Sequence, residues 1–171
     1  MIDPLLWMKI RDSSVNNTFG WVRDDGAQAH QGWDLEAAIS TPTIAIADGT
    51  IAWTKDKQGD YGTQILLRFT NSDGSKDYAF YAHLSQLLVC AGQDVEEGEL
   101  IGTTGNTGNA AGQGITPHLH FEIRNTDSRF PGNGLVHRID PQTVLGAPPL
   151  AGRSLKGQWT AGGFLAYDRG L

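Results

Sequence analysis

Cysteine is almost missing from this chain. A single thiol, Cys90, excludes any intrachain disulfide, so the fold must rest on burial and hydrogen bonding alone. Its setting, LLVCAGQ, reads as that of a small buried residue. Long apolar runs are missing as well. Stretches such as TIAIA and ILL are far too short to cross a bilayer, so no membrane span is expected. The leading MIDPLLWMKIRDSS has no basic n-region, no long apolar h-region and no small-residue cleavage site, and it is not read as a secretory signal peptide. Basic residues are the minority: 13 Lys and Arg stand against 19 Asp and Glu, a formal net charge of −6. That balance argues against nucleic acid, or any anionic surface, held by bulk charge. Internal repeats and low-complexity tracts are not seen.

What is present suits one globular domain. The 171 residues are 39% hydrophobic and 19% charged, enough to bury a core and too apolar for a disordered chain. Glycine is plentiful and spread throughout, 22 residues in all, which implies many turns between short elements. TPTIAIADGTIAWTKDK reads as two short strands around an Asp48-Gly49 turn. YGTQILLRFTNSDGSKDYAFYAHL reads as a hairpin turning at NSDG. Ile65, Leu67 and Phe69 share a face in one arm, and Tyr78, Phe80 and Ala82 share one in the other. GQDVEEGELIGTTGNTG carries two glycine-marked bends around short apolar pairs. Helix signals are sparse: SQLLVCAG offers at most one turn, and DPQTVL offers another, with Asp140 as cap and Pro141 at the first helical position. The expected fold is all-β, a glycine-rich antiparallel sheet or sandwich with few short helices. Residues 17–146 form the domain, 1–16 an N-terminal segment, and 147–171 a Gly/Pro-rich extension. Trp159, Phe164 and Tyr167 in that extension suggest that it packs on the domain.

Histidine is scarce, five in all, yet two stand one residue apart in PHLHFEIR. In a strand, residues i and i+2 share a face roughly 6.5–7 Å apart. Leu119, Phe121 and Ile123 alternate with His118, His120, Glu122 and Arg124, which puts the histidines on the polar face of a half-buried strand. Upstream, HQGWD spaces His30 and Asp34 four apart, so both can converge on one ligand from either a helix or a strand; Gly32 and Trp33 disfavour the helix. Two imidazoles and one carboxylate make a donor set suited to zinc, with a fourth position left for water. Such an ion polarises a carbonyl and lowers the pKa of water to about 7. A base and a stabiliser of the developing charge are then needed, which draws in the other histidine of the pair and His83 in FYAHLS. His137, in VHRIDP, lacks a partner motif and is read as structural. The glycine-rich GTTGNTGNAAGQG lacks a P-loop lysine and cradles no phosphate; it is either a flexible cleft wall or a plain solvent loop.

The order HQGWD, YAHL, GQDVEEGELIGTTGNTG, PHLHFEIR resembles the lysostaphin-type (LytM-like) zinc endopeptidases, which cleave peptidoglycan peptides. FGWVR matches an element that precedes the metal motif there, and Asp140-Pro141 matches its closing pair, so the likeness runs over about residues 19–142. By position the resemblance implies His30, Asp34 and His120 as metal ligands. His118 and His83 become the catalytic histidines, with the base left open between them, and Tyr61 becomes a residue lining the substrate cleft. GQDVEEGELIG also resembles the hairpin of biotinyl and lipoyl carriers. Those need a lysine at a tight turn, and none lies between Lys76 and Lys156. The implied substrate is a peptide cross-link, D-alanyl-diaminopimelate ahead of pentaglycine, and the implied state a monomer. With 29 residues before His30, the family's long inhibitory pro-region is not expected. Three settings fit. The first is an antibacterial effector exported by a contractile secretion machine to a target cell's periplasm, with an immunity protein as partner. The others are a phage lysis or tail enzyme and a piece of an exported precursor. The first is preferred. A non-catalytic peptidoglycan-binding or activator member of the fold is the rival reading.

Overall fold

The computed structural model of the chain describes residues 1–160 and 163–168, with side chains through Gly157. Its strands are β1 (Trp7–Met8), β2 (Gly20–Arg23), β3 (Gln28–His30), β4 (Trp33–Glu36), β5 (Pro42–Ile44), β6 (Gly49–Lys55), β7 (Thr63–Thr70) and β8 (Lys76–Leu87), followed by β9 (Asp94–Val95), β10 (Leu100–Thr104), β11 (His118–Arg124), β12 (Arg138–Ile139), β13 (Arg153–Ser154), β14 (Lys156–Thr160) and β15 (Gly163–Asp168). Nine of them make one antiparallel sheet in the order β12-β11-β8-β7-β6-β9, with β4 added along β11 and β10 joining β8 to β5. The all-β expectation is met. The hairpin at NSDG is β7–β8, and Asn71 N accordingly donates to Ser75 O across the turn. The strands flanking Asp48-Gly49 exist too, but they do not pair with each other: β5 joins β10, and β6 joins β7 and β9.

The period of two divides the central strands between two faces. Ile65, Leu67, Phe69, Ala79, Tyr81, Leu119, Phe121 and Ile123 enter the main core with Trp33 and Leu35. On the opposite face Leu66, Phe80 and Ala82 join Trp53 in a smaller apolar cluster, with Tyr61 and Tyr78 against it. His118, His120, Glu122 and Arg124 share that second face, since His120 stands opposite Ala82, Glu122 opposite Phe80 and Arg124 opposite Tyr78. One expectation is corrected here. The histidine face of β11 is not half-wet: all seven residues of β11 are buried, because the Tyr61 loop and the β3–β4 segment cover it.

Two further expectations fail for local reasons. Ser85–Leu87 continue β8 instead of forming a helical turn, their backbone being taken up by β10. Cys90 is exposed. It follows the buried Val89 and opens a tight turn in which Gln93 N donates to Cys90 O, so its side chain is carried outward. The one α-helix among the described residues, α1 (Gln142–Leu145), lies in DPQTVL but starts one residue later than expected: Pro141 is its N-cap, and Asp140 Oδ1 accepts from Gln142 N just before it. The N-terminal segment meets the start of the C-terminal extension: β1 pairs β13, Leu5, Met8 and Ile10 enter the main core, and Leu155 packs with Ile2 and Ile44. The side chains of Trp159, Phe164 and Tyr167 lie outside the described residues.

Candidate metal centre

Gly32 brings the first two acceptor side chains onto β11. A Cβ at this position would lie 2.0 Å from Phe121 O, an impossible approach, so only glycine lets the link between β3 and β4 cross so close to the strand. β4 then pairs with β11 so that Asp34 stands directly opposite His120. The outcome is a cluster with His30 Nε2 3.1 Å from Asp34 Oδ1, His120 Nδ1 2.8 Å from the same oxygen, and the two nitrogens 3.3 Å apart. All three residues are buried.

Each group in this cluster is held by its other polar atom. His30 Nδ1 lies 2.9 Å from Thr18 O, and a carbonyl only accepts, so the proton sits on Nδ1 and Nε2 presents a lone pair. His120 is reversed: its Nε2 lies 2.9 Å from Glu122 Oε1, which leaves the Nδ1 lone pair facing the cluster. Asp34 Oδ2 accepts from Arg23 Nη2 at 2.8 Å and pairs with Arg11 Nη2 at 3.4 Å, so Oδ1 alone faces inward. Three acceptors therefore converge with no donor among them. That arrangement is repulsive unless a cation occupies the middle, and two imidazoles with one carboxylate suit a divalent metal of the zinc class. A proton is the substitute. Burial alone would lower the His120 imidazole, but carboxylates on both of its nitrogens raise it to about 9. Burial alone would raise the Asp34 carboxyl, and the imidazoles of His120 and His30 against it bring it well below its ordinary value.

His83 reaches the site by breaking the alternation of β8. Ala82 already faces the site, so regular pleating would turn His83 toward the main core, where Tyr81 and Leu84 lie. Instead His83 adopts φ 61°, the left-handed region, and the β7–β8 register slips between Thr63 and Ile65. Such a bulge re-aims a side chain, and a non-glycine residue held there costs on the order of 1–3 kcal/mol. Tyr61 O accepts from His83 N at 2.9 Å, and Thr107 O accepts from His83 Nδ1 at 2.8 Å, so Nε2 is again the free lone pair. Burial, with His120 and His118 adding to it, lowers this imidazole to about 3, so it stays neutral. The His83 and His118 rings are 4.9 Å apart, and His118 Nε2 is 3.7 Å from Asp34 Oδ1. His118 alone is offered both tautomers. Thr116 O at 2.9 Å calls for a proton on its Nδ1, whereas Arg11 Nη1 at 3.1 Å calls for a lone pair there.

These groups open on a cleft of about 390 Å³ whose lining includes Tyr61, Asn109 and Ile115. The Tyr61 ring lies 5.4 Å from that of His120. Burial, with Glu122 adding to it, raises its phenol, so the hydroxyl keeps its proton. The glycine-rich segment does form a wall of the cleft, but its first half is fastened instead of loose. Thr107 Oγ1 accepts from Thr63 N and donates to Leu84 O, and Asn109 N donates to Asp60 O. His137 stays apart, its Nδ1 bonded to Asn125 Oδ1.

Several participants carry no motif that sequence reading used. Glu122 and Arg124 were visible only as polar residues alternating with the histidines. Glu122 Oε2 accepts from Arg124 Nε at 2.6 Å and Arg138 Nε at 3.3 Å, and Arg124 lies 3.6 Å from the centroid of the Phe80 ring. Burial opposes the Glu122 charge, yet Arg124 and His120 hold its carboxyl well below the ordinary range. Arg23 was part of FGWVR without a role, and Arg11 had no signal. The carbonyls of Thr18, Thr107 and Thr116 cannot be found from side-chain patterns at all.

Known proteins resemble this chain in part. The chain is 36% identical over 117 residues to the peptidoglycan DD-endopeptidase ShyC of Vibrio cholerae, covering 68% of this chain and 23% of that protein. It spans less than a quarter of the length of the curated relatives that head its matches. Among solved structures, the catalytic domain of the antimicrobial peptidase lysostaphin from Staphylococcus simulans aligns with a TM-score of 0.59 at 30% identity, covering 77% of this chain and 90% of that one. A zinc-containing peptidase from Vibrio cholerae aligns with a TM-score of 0.50 at 27% identity, over 66% of this chain and 29% of that one. Residues 28–131, the span that holds His30, Asp34 and His120 together with His83 and His118, match the profile of peptidase family M23, and the chain belongs to that family.

Proposed function

We propose that this chain is the catalytic part of a zinc-dependent endopeptidase that hydrolyses peptide cross-links of bacterial peptidoglycan. The observation that carries the reading is the convergence of His30 Nε2, Asp34 Oδ1 and His120 Nδ1 within 3.3 Å, each with its remaining polar atom already engaged. The names of ShyC and lysostaphin support the substrate class and the hydrolytic chemistry. A zinc ion bound there supplies a Lewis acid for the scissile carbonyl and lowers the pKa of water to about 7.

The chain's own residues do the rest. His83 and His118 divide the proton handling through Nε2: one takes the proton of the attacking water, and the other carries a proton toward the developing oxyanion or the leaving amine. The neutral His83, with its proton fixed on Nδ1, is equipped as an acceptor. His118, which can hold either tautomer, is equipped for both roles. Tyr61, protonated, lines the cleft beside the substrate's path. Arg11 and Arg23 keep Asp34 oriented. Residues 17–146 carry the chemistry, with 1–16 and 147–171 as supporting segments that pair through β1 and β13.

The bond assigned is D-alanyl-diaminopimelate. The proposal extends to an antibacterial effector, a monomer delivered by a contractile secretion system to a target periplasm and neutralised by an immunity protein; the antimicrobial activity named for lysostaphin supports that extension. The test is digestion of purified Gram-negative sacculi by the wild type and His120→Ala with zinc supplied, followed by mass spectrometry of the released muropeptides. Cross-linked dimers should disappear with the wild type only. Sacculi left unchanged by the wild type would overturn the reading.

A further inference from the structure

A second cavity of about 520 Å³ lies beside the metal cleft and shares Gln31, Asp60 and Tyr61 with it, so the two are compartments of one groove. Its chemistry is different. Lys55, Arg129 and Arg138 line it, together with Phe130, a residue 85% exposed. Arg138 is already engaged, by Glu122 and by the carbonyls of Gly132 and Val136. Lys55 and Arg129 are not. Lys55 Nζ lies over the Phe130 and Trp53 rings at 5.1 and 5.7 Å, and the Arg129 guanidinium over Trp53 at 5.9 Å. Among the described residues no carboxylate forms an ion pair with either. In a chain with six more acidic than basic residues, two unpaired cations at one end of a groove run against the average charge. The segment that presents them is tied down, since Trp53 Nε1 donates to Asp127 O at 2.8 Å and His137 Nδ1 bonds Asn125 Oδ1.

We infer that Lys55 and Arg129 form a subsite for free carboxylates of the peptide whose scissile bond lies at the metal centre, with Phe130 covering the aliphatic part of the same residue. The inference rests on the proposed peptidase reading and deepens it: the groove selects acidic stem peptides over uncharged glycine bridges. Asp60, at the junction of the two cavities, adds repulsion against an anion placed too near the metal cleft, which fixes the direction in which an acidic peptide enters. The cations act on binding, not on bond breaking, so their removal raises KM and leaves kcat in place.

The test compares an acidic cross-linked stem peptide with the same peptide carrying carboxamides in place of its free carboxylates. Both are titrated calorimetrically into the zinc-loaded His120-intact protein and into the Lys55→Gln/Arg129→Gln variant, and cleavage of both is followed in parallel. Two partly screened charge contacts predict about tenfold weaker binding of the amidated peptide to the wild type. The variant should bind both peptides equally, with the acidic one about tenfold weaker than in the wild type, and the wild-type preference should shrink as salt rises. Equal binding of the two peptides by the wild type overturns the subsite even if both are cleaved. A binding preference with cleavage of neither peptide upholds the subsite and overturns the peptidase reading. A variant with an unchanged preference excludes these two residues as its source.

Discussion

Glu122 offers the sharpest test of how the metal cluster is held. It is fully buried, accepts the Nε2 proton of His120 on one oxygen, and takes Arg124 and Arg138 on the other. Glu122→Gln keeps the shape and removes one acceptor. If the amide oxygen stays with the arginines, its NH₂ faces His120 Nε2, the imidazole shifts its proton to Nδ1, and the atom that faces Asp34 loses its lone pair. If the amide turns round, its NH₂ meets two arginine donors. Either way the variant must spend free energy that the wild type does not, and outer-shell partners of this kind are typically worth 10–100-fold in metal affinity. Loss of the charge between two buried arginines adds a stability cost of roughly 3–5 kcal/mol, the range for breaking a buried pair. Zinc affinity measured by competition with a fluorescent chelator should fall 10–100-fold, with a lower melting temperature for the metal-free protein. Glu36→Gln, an exposed carboxylate paired with Lys9, serves as control and should change neither. Wild-type zinc affinity in a folded Glu122→Gln protein would refute the argument that a tautomer set by Glu122 makes the site.

Further outcomes follow from the same geometry. His83→Ala and His118→Ala should each lower kcat by about 10²–10⁴ while retaining stoichiometric zinc, measured by peptide cleavage and metal analysis; loss of zinc would reassign them as ligands. Gly32→Ala should fail to fold or lose its metal, since the new methyl meets Phe121 O, and a wild-type melting curve would contradict the close crossing. The metal-free protein should be most stable near pH 6.5. His83 sits near 3 when folded and near 6.5 when unfolded, so the unfolded chain takes up the extra proton and stability falls as pH drops from 6.5 toward 3. His120, raised to about 9, has the opposite sign: its contribution is complete below 6.5 and is lost as pH climbs to 9. Zinc, which needs the deprotonated Nδ1, should erase that alkaline limb. Melting temperatures in chelator that stay flat between pH 6.5 and 9 would count against the His120 assignment.

What could be read from the linear chain is what local periodicity and motif order encode. The β7–β8 hairpin follows from alternation around NSDG, and α1 from Asp140-Pro141. The shared face of His118 and His120 follows from the period of a strand, and the family from five spaced side chains. The same alternation misleads wherever a long-range contact intervenes. It makes β11 half-wet, because the segments that cover its histidine face lie some 60 to 90 residues away in sequence. It also aims His83 at the core, because a bulge is a property of two strands together and leaves no mark on the residue that bears it. Hydrogen-bond partners were the hardest to foresee. Carbonyls of Thr18 and Thr107 set two tautomers, and that of Thr116 contests a third with Arg11; every residue carries the same carbonyl, so only the folded backbone decides which one faces an imidazole. Sequence alone therefore determined which side chains could hold a metal; the tertiary structure decided which atom of each one turns to the shared centre, because that choice belongs to the neighbour on the far side of the ring.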